Sequence, residues 1–133
     1  MGTNGSPRRV LVIDDSHTVR RSAEIFLAQG GCEVLLAADG FEGLARVAED
    51  RPDIVFCDVQ MPRLDGWRTC AIVRRHPRFY DLPVVMLSAS DSAFDDRRGH
   101  EAGAREHIVK PFTGEQLLDA VRRLAGTPAA AGA

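Results

Sequence analysis

Three stretches of the chain are apolar at every position rather than at alternate ones: Val10-Leu11-Val12-Ile13, Ile54-Val55-Phe56-Cys57 and Val84-Val85-Met86-Leu87. A strand with one face in water alternates apolar and polar residues, whereas a strand apolar throughout has to be covered on both faces. Such strands belong to a parallel sheet held between two helix layers. Between them, apolar residues recur at helical spacing. Val19, Ala23, Phe26 and Leu27 mark a first helix closed by Gly30-Gly31. Phe41, Leu44, Ala45 and Ala48 mark a second, stopped by Pro52, and Trp67, Cys70 and Val73 mark a third after Asp65-Gly66. A more polar helix is expected between about Ser92 and Ala102. The capping-box pattern Thr113-x-x-Gln116 then opens a helix with the stripe Leu117, Leu118, Val121, Leu124 and Ala125. Short strands at Glu33 to Ala37 and His107-Ile108-Val109 complete five β/α pairs over residues 8–125. The expected fold is doubly wound α/β, a five-stranded parallel sheet with five helices.

Composition excludes several classes. One domain suits 133 residues, and the ends, residues 1–7 and 126–133, are small and flexible in composition and read as tails. No apolar run approaches the roughly 20 residues a spanning helix needs, so no membrane insertion is expected. The polar, basic start from Met1 to Arg9 has no apolar segment of the signal-peptide kind. With 17 Lys+Arg against 19 Asp+Glu and no basic block, direct nucleic-acid binding is not expected. Cys32, Cys57 and Cys70 have no C-x-x-C spacing and fit neither a disulfide framework nor a zinc site. They read as small buried thiols in a reducing cytoplasm, which is the expected location.

The chemistry collects where strands end. Asp14-Asp15, Asp58, Ser88 and Lys110 each follow or finish an apolar run, and ligands of an open parallel sheet bind at its carboxyl edge. Taken singly, Asp14-Asp15 reads as a helix cap, Asp58 as the start of a turn, Ser88 as a turn hydroxyl and Lys110 as a surface lysine. Brought together, three carboxylates and one ammonium leave a charge of −2 in a small space. Crowded carboxylates repel one another until something neutralises them. All the ligands on offer are oxygens, so Mg²⁺ fits better than zinc. Two metal-binding acids, a central aspartate, a hydroxyl and a lysine make a phosphoryl-transfer constellation.

The motifs Val12-Ile13-Asp14-Asp15-Ser16, Asp58-x-x-Met61-Pro62-x-x-Asp65-Gly66, Ser88-Ala89 and Lys110-Pro111-Phe112 together resemble the receiver domain of two-component response regulators, over about residues 8 to 125. The resemblance implies a flavodoxin-like fold with strand order 2-1-3-4-5. It implies that Asp58 accepts a phosphoryl group from phosphohistidine on a histidine kinase or phosphotransfer domain. Mg²⁺ is then held by Asp15 directly, Asp14 through water, Asp58, and the backbone carbonyl of Gln60. Ser88 and Lys110 each contact a phosphoryl oxygen, and the Lys110-Pro111 bond is cis. Output is expected through a partner protein on the face of the fourth helix, fifth strand and fifth helix, with Arg97, Arg98, Arg105 and Glu106 as polar contacts. Phe41-Glu42-Gly43-Leu44, Arg63 to Val73 and Val85-Met86-Leu87-Ser88 are similar to stand-alone regulators of type IV pilus twitching motility, which work in chemotaxis-like pathways.

One position departs from the family pattern. Three residues before the lysine the family usually has Tyr or Phe, a ring that turns inward when the Ser88 hydroxyl moves toward the phosphoryl group; here it is His107. A neutral imidazole can enter such a slot, but an imidazolium would first have to shed water. Coupling of phosphorylation to output is therefore expected to weaken at acidic pH. The fold could alternatively host an aspartate-nucleophile phosphatase. Such enzymes need an acid two residues after the nucleophile, and Gln60 cannot serve. The expectation is a switch without substrate turnover beyond its own phosphoryl group, or else a receiver cut from a longer regulator with a DNA-binding or enzymatic output domain.

Overall fold

The computed structural model describes residues 7–89 and 101–125. Its elements are β1 (Arg9–Ile13), α1 (His17–Gln29), β2 (Glu33–Ala37), α2 (Gly40–Asp50), β3 (Ile54–Asp58), α3 (Gly66–Arg75), β4 (Val84–Ser88), β5 (Glu106–Val109) and α4 (Gly114–Leu124). All strand pairs are parallel, in the order β2-β1-β3-β4-β5. The expected helix around 92–102 lies outside the described residues except at its end, where Glu101 and Ala102 are helical. The expected tails also lie outside them, apart from Pro7.

The fully apolar strands divide their side chains between two cores. Leu11, Ile13, Val55, Cys57 and Met86 meet Val47 of α2 and Trp67, Cys70 and Val73 of α3 on one face. Val10, Val12, Ile54, Phe56, Val85 and Leu87 meet Ala23 and Leu27 of α1 and Leu117, Ala120 and Val121 of α4 on the other. Each covering helix has a local start signal. Ser16, Asp39, Asp65 and Thr113 are N-caps whose side chains accept from the third backbone N–H beyond them, and Thr113 with Gln116 closes the full capping box.

Helix α2 forms where the apolar spacing marks it, but of the four apolar markers only Leu44 packs against the core. Phe41, Ala45 and Ala48 are exposed, and the buried positions are Gly40, Gly43 and Val47. A Cβ on Gly43 would lie 2.3 Å from Ile13 Cδ1. The glycines let the helix backbone sit against β1 and turn Phe41 outward, where the Arg63 guanidinium stands 5.7 Å from its ring centroid.

Chain order reverses between β1 and β3, since β2 lies on one side of β1 while β3, β4 and β5 run off on the other. A crevice opens at the carboxyl edge at that point, and β1, β3, β4 and β5 all end there.

Candidate active site: an acidic cluster bridged by a lysine

Asp14 directly follows β1 and is fully buried. Its backbone N–H donates to the Ala37 carbonyl at 3.1 Å, which continues the β1–β2 ladder by one residue. The Asp14 Oδ1 atom accepts from Ser16 N–H at 2.9 Å, and Arg20 Nη1 donates to the Asp14 carbonyl at 2.7 Å. Strand end, cap and helix α1 are thus tied into one turn that fixes the carboxylate. Asp15, the next residue, is exposed. Asp58 ends β3 with 6% of its surface exposed, and its Oδ1 accepts from Gln60 N–H at 3.4 Å. One carboxylate oxygen from each of Asp14, Asp15 and Asp58 lies within 4.8 Å of the others.

Lys110, the one lysine of the chain, bridges this cluster. Its Nζ is 2.8 Å from Asp14 Oδ2 and 3.3 Å from Asp58 Oδ1. Its backbone N–H donates to the Ser88 carbonyl at 2.7 Å, and the Lys110-Pro111 peptide bond is cis. Burial works against the lysine's charge, but the two carboxylates outweigh it and hold its pKa above the ordinary value. Asp58 is pushed up to about 6, first by burial and then by repulsion from Asp14, with Lys110 offsetting part of the rise. One ammonium does not neutralise three carboxylates, and at Asp58 the repulsion from Asp14 adds to the effect of burial.

Ser88 is buried at the end of β4. Asp58 stands opposite Leu87 in the sheet, so Ser88 lies one residue further along the neighbouring strand. His107 is half-buried on β5, in register with Met86, and strand alternation puts it on the same sheet face as Ser88. Gln60 is exposed in the loop just past β3. The structure therefore gathers Asp14, Asp15, Asp58 and Lys110 directly, with Gln60, Ser88 and His107 on the adjoining loop and strands. Of the expected output contacts, Arg97 and Arg98 lie outside the described residues. Glu106 is already held by both terminal nitrogens of Arg123, and Arg105 donates to the Asp81 carbonyl.

Sequence reasoning placed Gly66 in a motif but assigned it no part in shaping the site. A Cβ on Gly66 would lie 2.2 Å from the Asp58 carbonyl oxygen and 2.6 Å from Met86 Cε. The Gly66 N–H also donates to the Val59 carbonyl at 2.9 Å. Only glycine lets the start of α3 press against the end of β3. The signal was a glycine at the first position of a capped helix, where it is unfavourable unless another group approaches closely.

The donor set suits a hard divalent cation. It consists of carboxylate oxygens of mixed burial, and a cation beside Asp58 offsets both the burial and the Asp14 repulsion that raise its pKa.

A parallel sheet of order 2-1-3-4-5 with an acidic cluster at its switch point defines a class, and comparison with known proteins agrees. The family model of the response regulator receiver domain matches residues 10–122, and the chain belongs to that family. It is thus a receiver domain of two-component phosphorelay, a signalling module. It is 46% identical over 114 residues to protein PilG of Pseudomonas aeruginosa, covering 86% of this chain and 84% of PilG. It is 45% identical over 118 residues to response regulator MprA of Mycolicibacterium vanbaalenii, covering 89% of this chain but 50% of MprA, so it spans about half of that relative's length. Among solved structures, chemotaxis protein CheY4 of Vibrio cholerae superimposes with a TM-score of 0.84 at 35% identity, covering 89% of this chain and 98% of CheY4. The receiver domain of sensor histidine kinase PA1611 from Pseudomonas aeruginosa, with a magnesium ion coordinated in its active-site cleft, superimposes with a TM-score of 0.83 at 25% identity, covering 91% of this chain and 99% of that one. No helix among the described residues is long and apolar enough to cross a membrane.

Proposed function

We propose that residues 8–125 work as a phosphorylation-driven switch with Asp58 as phosphoacceptor, charged by a histidine kinase or phosphotransfer domain. The observation that carries this is the bridging of Asp14 and Asp58 by Lys110 Nζ beside exposed Asp15. Attack of an Asp58 carboxylate oxygen on the phosphorus of phosphohistidine forms the P–O bond of an acyl phosphate as the P–N bond breaks. The electron pair goes to the imidazole nitrogen, which takes up a proton. Asp14, Asp15, Asp58 and the Gln60 carbonyl would hold Mg²⁺, which when bound supplies positive charge to the phosphoryl oxygens. Lys110 stabilises another phosphoryl oxygen and gives up its contact with Asp58 as the carboxylate becomes an ester-like oxygen. Ser88 supplies a hydroxyl to the remaining oxygen, and His107 responds to the movement of Ser88.

A groove of about 440 Å³ between α1 and the loop after β5, lined by Val19, Phe26, Pro111 and Phe112 with Lys110 among its walls, supports docking of the donor domain beside Asp58. Output passes to a partner protein on a face that includes β5 and α4. Likeness to PilG over most of both chains, together with likeness to a chemotaxis protein, supports a place in twitching motility or chemotaxis-like signalling in the cytoplasm. MprA, about twice as long as the matched region, supports a second reading in which the receiver belongs to a longer regulator with its own output domain. The length of the natural gene separates the two.

The test is intact-mass analysis with acetyl phosphate and Mg²⁺. One added phosphoryl group is expected, lost in Asp58→Ala and suppressed by a chelator. Unchanged labelling of Asp58→Ala would refute the assignment.

A further inference from the structure

We propose that the outer face of α3 and the turn after it form a docking surface for an acidic amphipathic helix of a partner protein, separate from both the phosphoacceptor edge and the proposed output face. The first reason is charge. Residues 66–80 contain four arginines (Arg68, Arg74, Arg75 and Arg78) and no Asp or Glu. A chain of net charge −2 with +4 in these fifteen residues carries −6 on the rest.

The second reason is how the arginines are used. Elsewhere Arg21, Arg46, Arg63 and Arg123 hold Glu24, Asp50, Asp39 and Glu106 respectively. Among the described residues no carboxylate is paired with Arg68, Arg75 or Arg78, and all three are exposed. Arg74 serves the structure: it donates to the carbonyls of Tyr80 and, at 2.9 Å, Gly103.

The third reason is geometry. Arg68, Ile72 and Arg75 are spaced i, i+4, i+7, one solvent-facing stripe, and Ile72, between the two arginines along the helix, is 47% exposed. The opposite face, Trp67, Cys70 and Val73, is buried in the core, which makes the helix a rigid platform. The turn beyond is also fixed in place. Arg74 ties down its end, Arg78 N–H donates to His76 Nδ1 at 3.0 Å, and the His76 and Phe79 rings lie 4.8 Å apart. Arg78 and 61%-exposed Tyr80 are thereby presented at little further ordering cost.

An apolar residue flanked by unpaired cations one turn to either side calls for its complement, an apolar side chain flanked by carboxylates at the same spacing. A polynucleotide fits less well. Duplex binders neutralise about 6–10 phosphates, more than this patch offers on a body otherwise negative, and an aliphatic Ile72 provides no stacking surface for a base.

The test uses the full chain, ¹⁵N-labelled, and a synthetic 16-residue peptide with leucine at one helical position and glutamates four before and three after it. Amide shifts confined to residues 66–80 are expected. Affinity measured by fluorescence anisotropy should fall at least tenfold in Arg68→Glu/Arg75→Glu and about threefold in Ile72→Ser. It should fall less than twofold in Arg46→Glu/Arg122→Glu, which makes the same charge change on α2 and α4. Failure of the peptide to bind, an equal loss in the α2/α4 control, or tighter binding of a 20-bp DNA duplex overturns the proposal. So does concentration-dependent self-association abolished by Arg68→Glu/Arg75→Glu, since the surface would then serve a second copy of the chain.

Discussion

Replacing Asp58 with asparagine should stabilise the metal-free protein at neutral pH. Asp58 ionises at about 6 in the folded chain against a model-peptide value of 3.8, so keeping it ionised at pH 7.5 costs folding free energy. At 1.36 kcal/mol per pKa unit the cost is about 3 kcal/mol. The mouth of the site is open and Asp15 is exposed, so solvent screens part of this, and about 1–3 kcal/mol is the working range. Because the folded pKa lies above the unfolded one, the native state binds the extra proton between about pH 4 and 6. The contribution is favourable below that window and is lost as pH rises through 6. Asparagine keeps the shape and an oxygen for Lys110 while removing the charge. Urea denaturation in EDTA reads the effect. With an m-value of about 2 kcal/mol/M, the midpoint of Asp58→Asn should exceed that of the wild type by roughly 0.5–1.5 M at pH 7.5. The gap should shrink to about a third of that size by pH 4.5, and excess MgCl₂ at pH 7.5 should narrow it by stabilising the wild type. A variant no more stable than the wild type at pH 7.5, or a gap of the same size at both pH values, would show that charge crowding at Asp58 is not what the geometry indicates.

Gly66→Ala should destabilise the fold by about 1–3 kcal/mol, the range for overpacking. It should also slow acetyl-phosphate labelling, since the new methyl group meets the Asp58 carbonyl; wild-type stability and labelling together would refute the close approach. Asp15→Ala should remove Mg²⁺ binding more completely than Asp14→Ala in calorimetry, because Asp14 already holds Ser16 N–H and Lys110 whereas Asp15 is the exposed member of the cluster; the reverse order would exchange their roles. In the phosphorylated protein, partner affinity should be weaker at pH 6 than at pH 8 in the wild type and should lose that dependence in His107→Tyr; an equal pH response in both leaves His107 outside the switch.

The sequence by itself determined the architecture, for a reason that operates residue by residue. Strands such as Ile54–Asp58 have no face they could give to water, and caps such as Asp65 and the Thr113–Gln116 box act over three residues, so both are legible without tertiary information. The same holds for the candidate site's membership, because polar residues ending apolar strands are forced to one edge of a parallel sheet. Contacts between elements were not legible. The spacing of Phe41, Leu44, Ala45 and Ala48 marked α2 as a helix but not the side it buries: Leu44 packs against the core, Phe41, Ala45 and Ala48 are exposed, and Gly43 lies against Ile13. Gly66 and the closeness of α3 to Asp58 were hidden for the same reason, since a missing side chain says nothing until its neighbour is known. That Lys110 bridges Asp14 and Asp58, and that burial and repulsion from Asp14 together raise the Asp58 pKa, depends on distances of a few ångströms between residues up to 96 positions apart. Only the tertiary structure sets those distances, because Coulomb energy and desolvation depend on spatial separation and burial rather than on order along the chain.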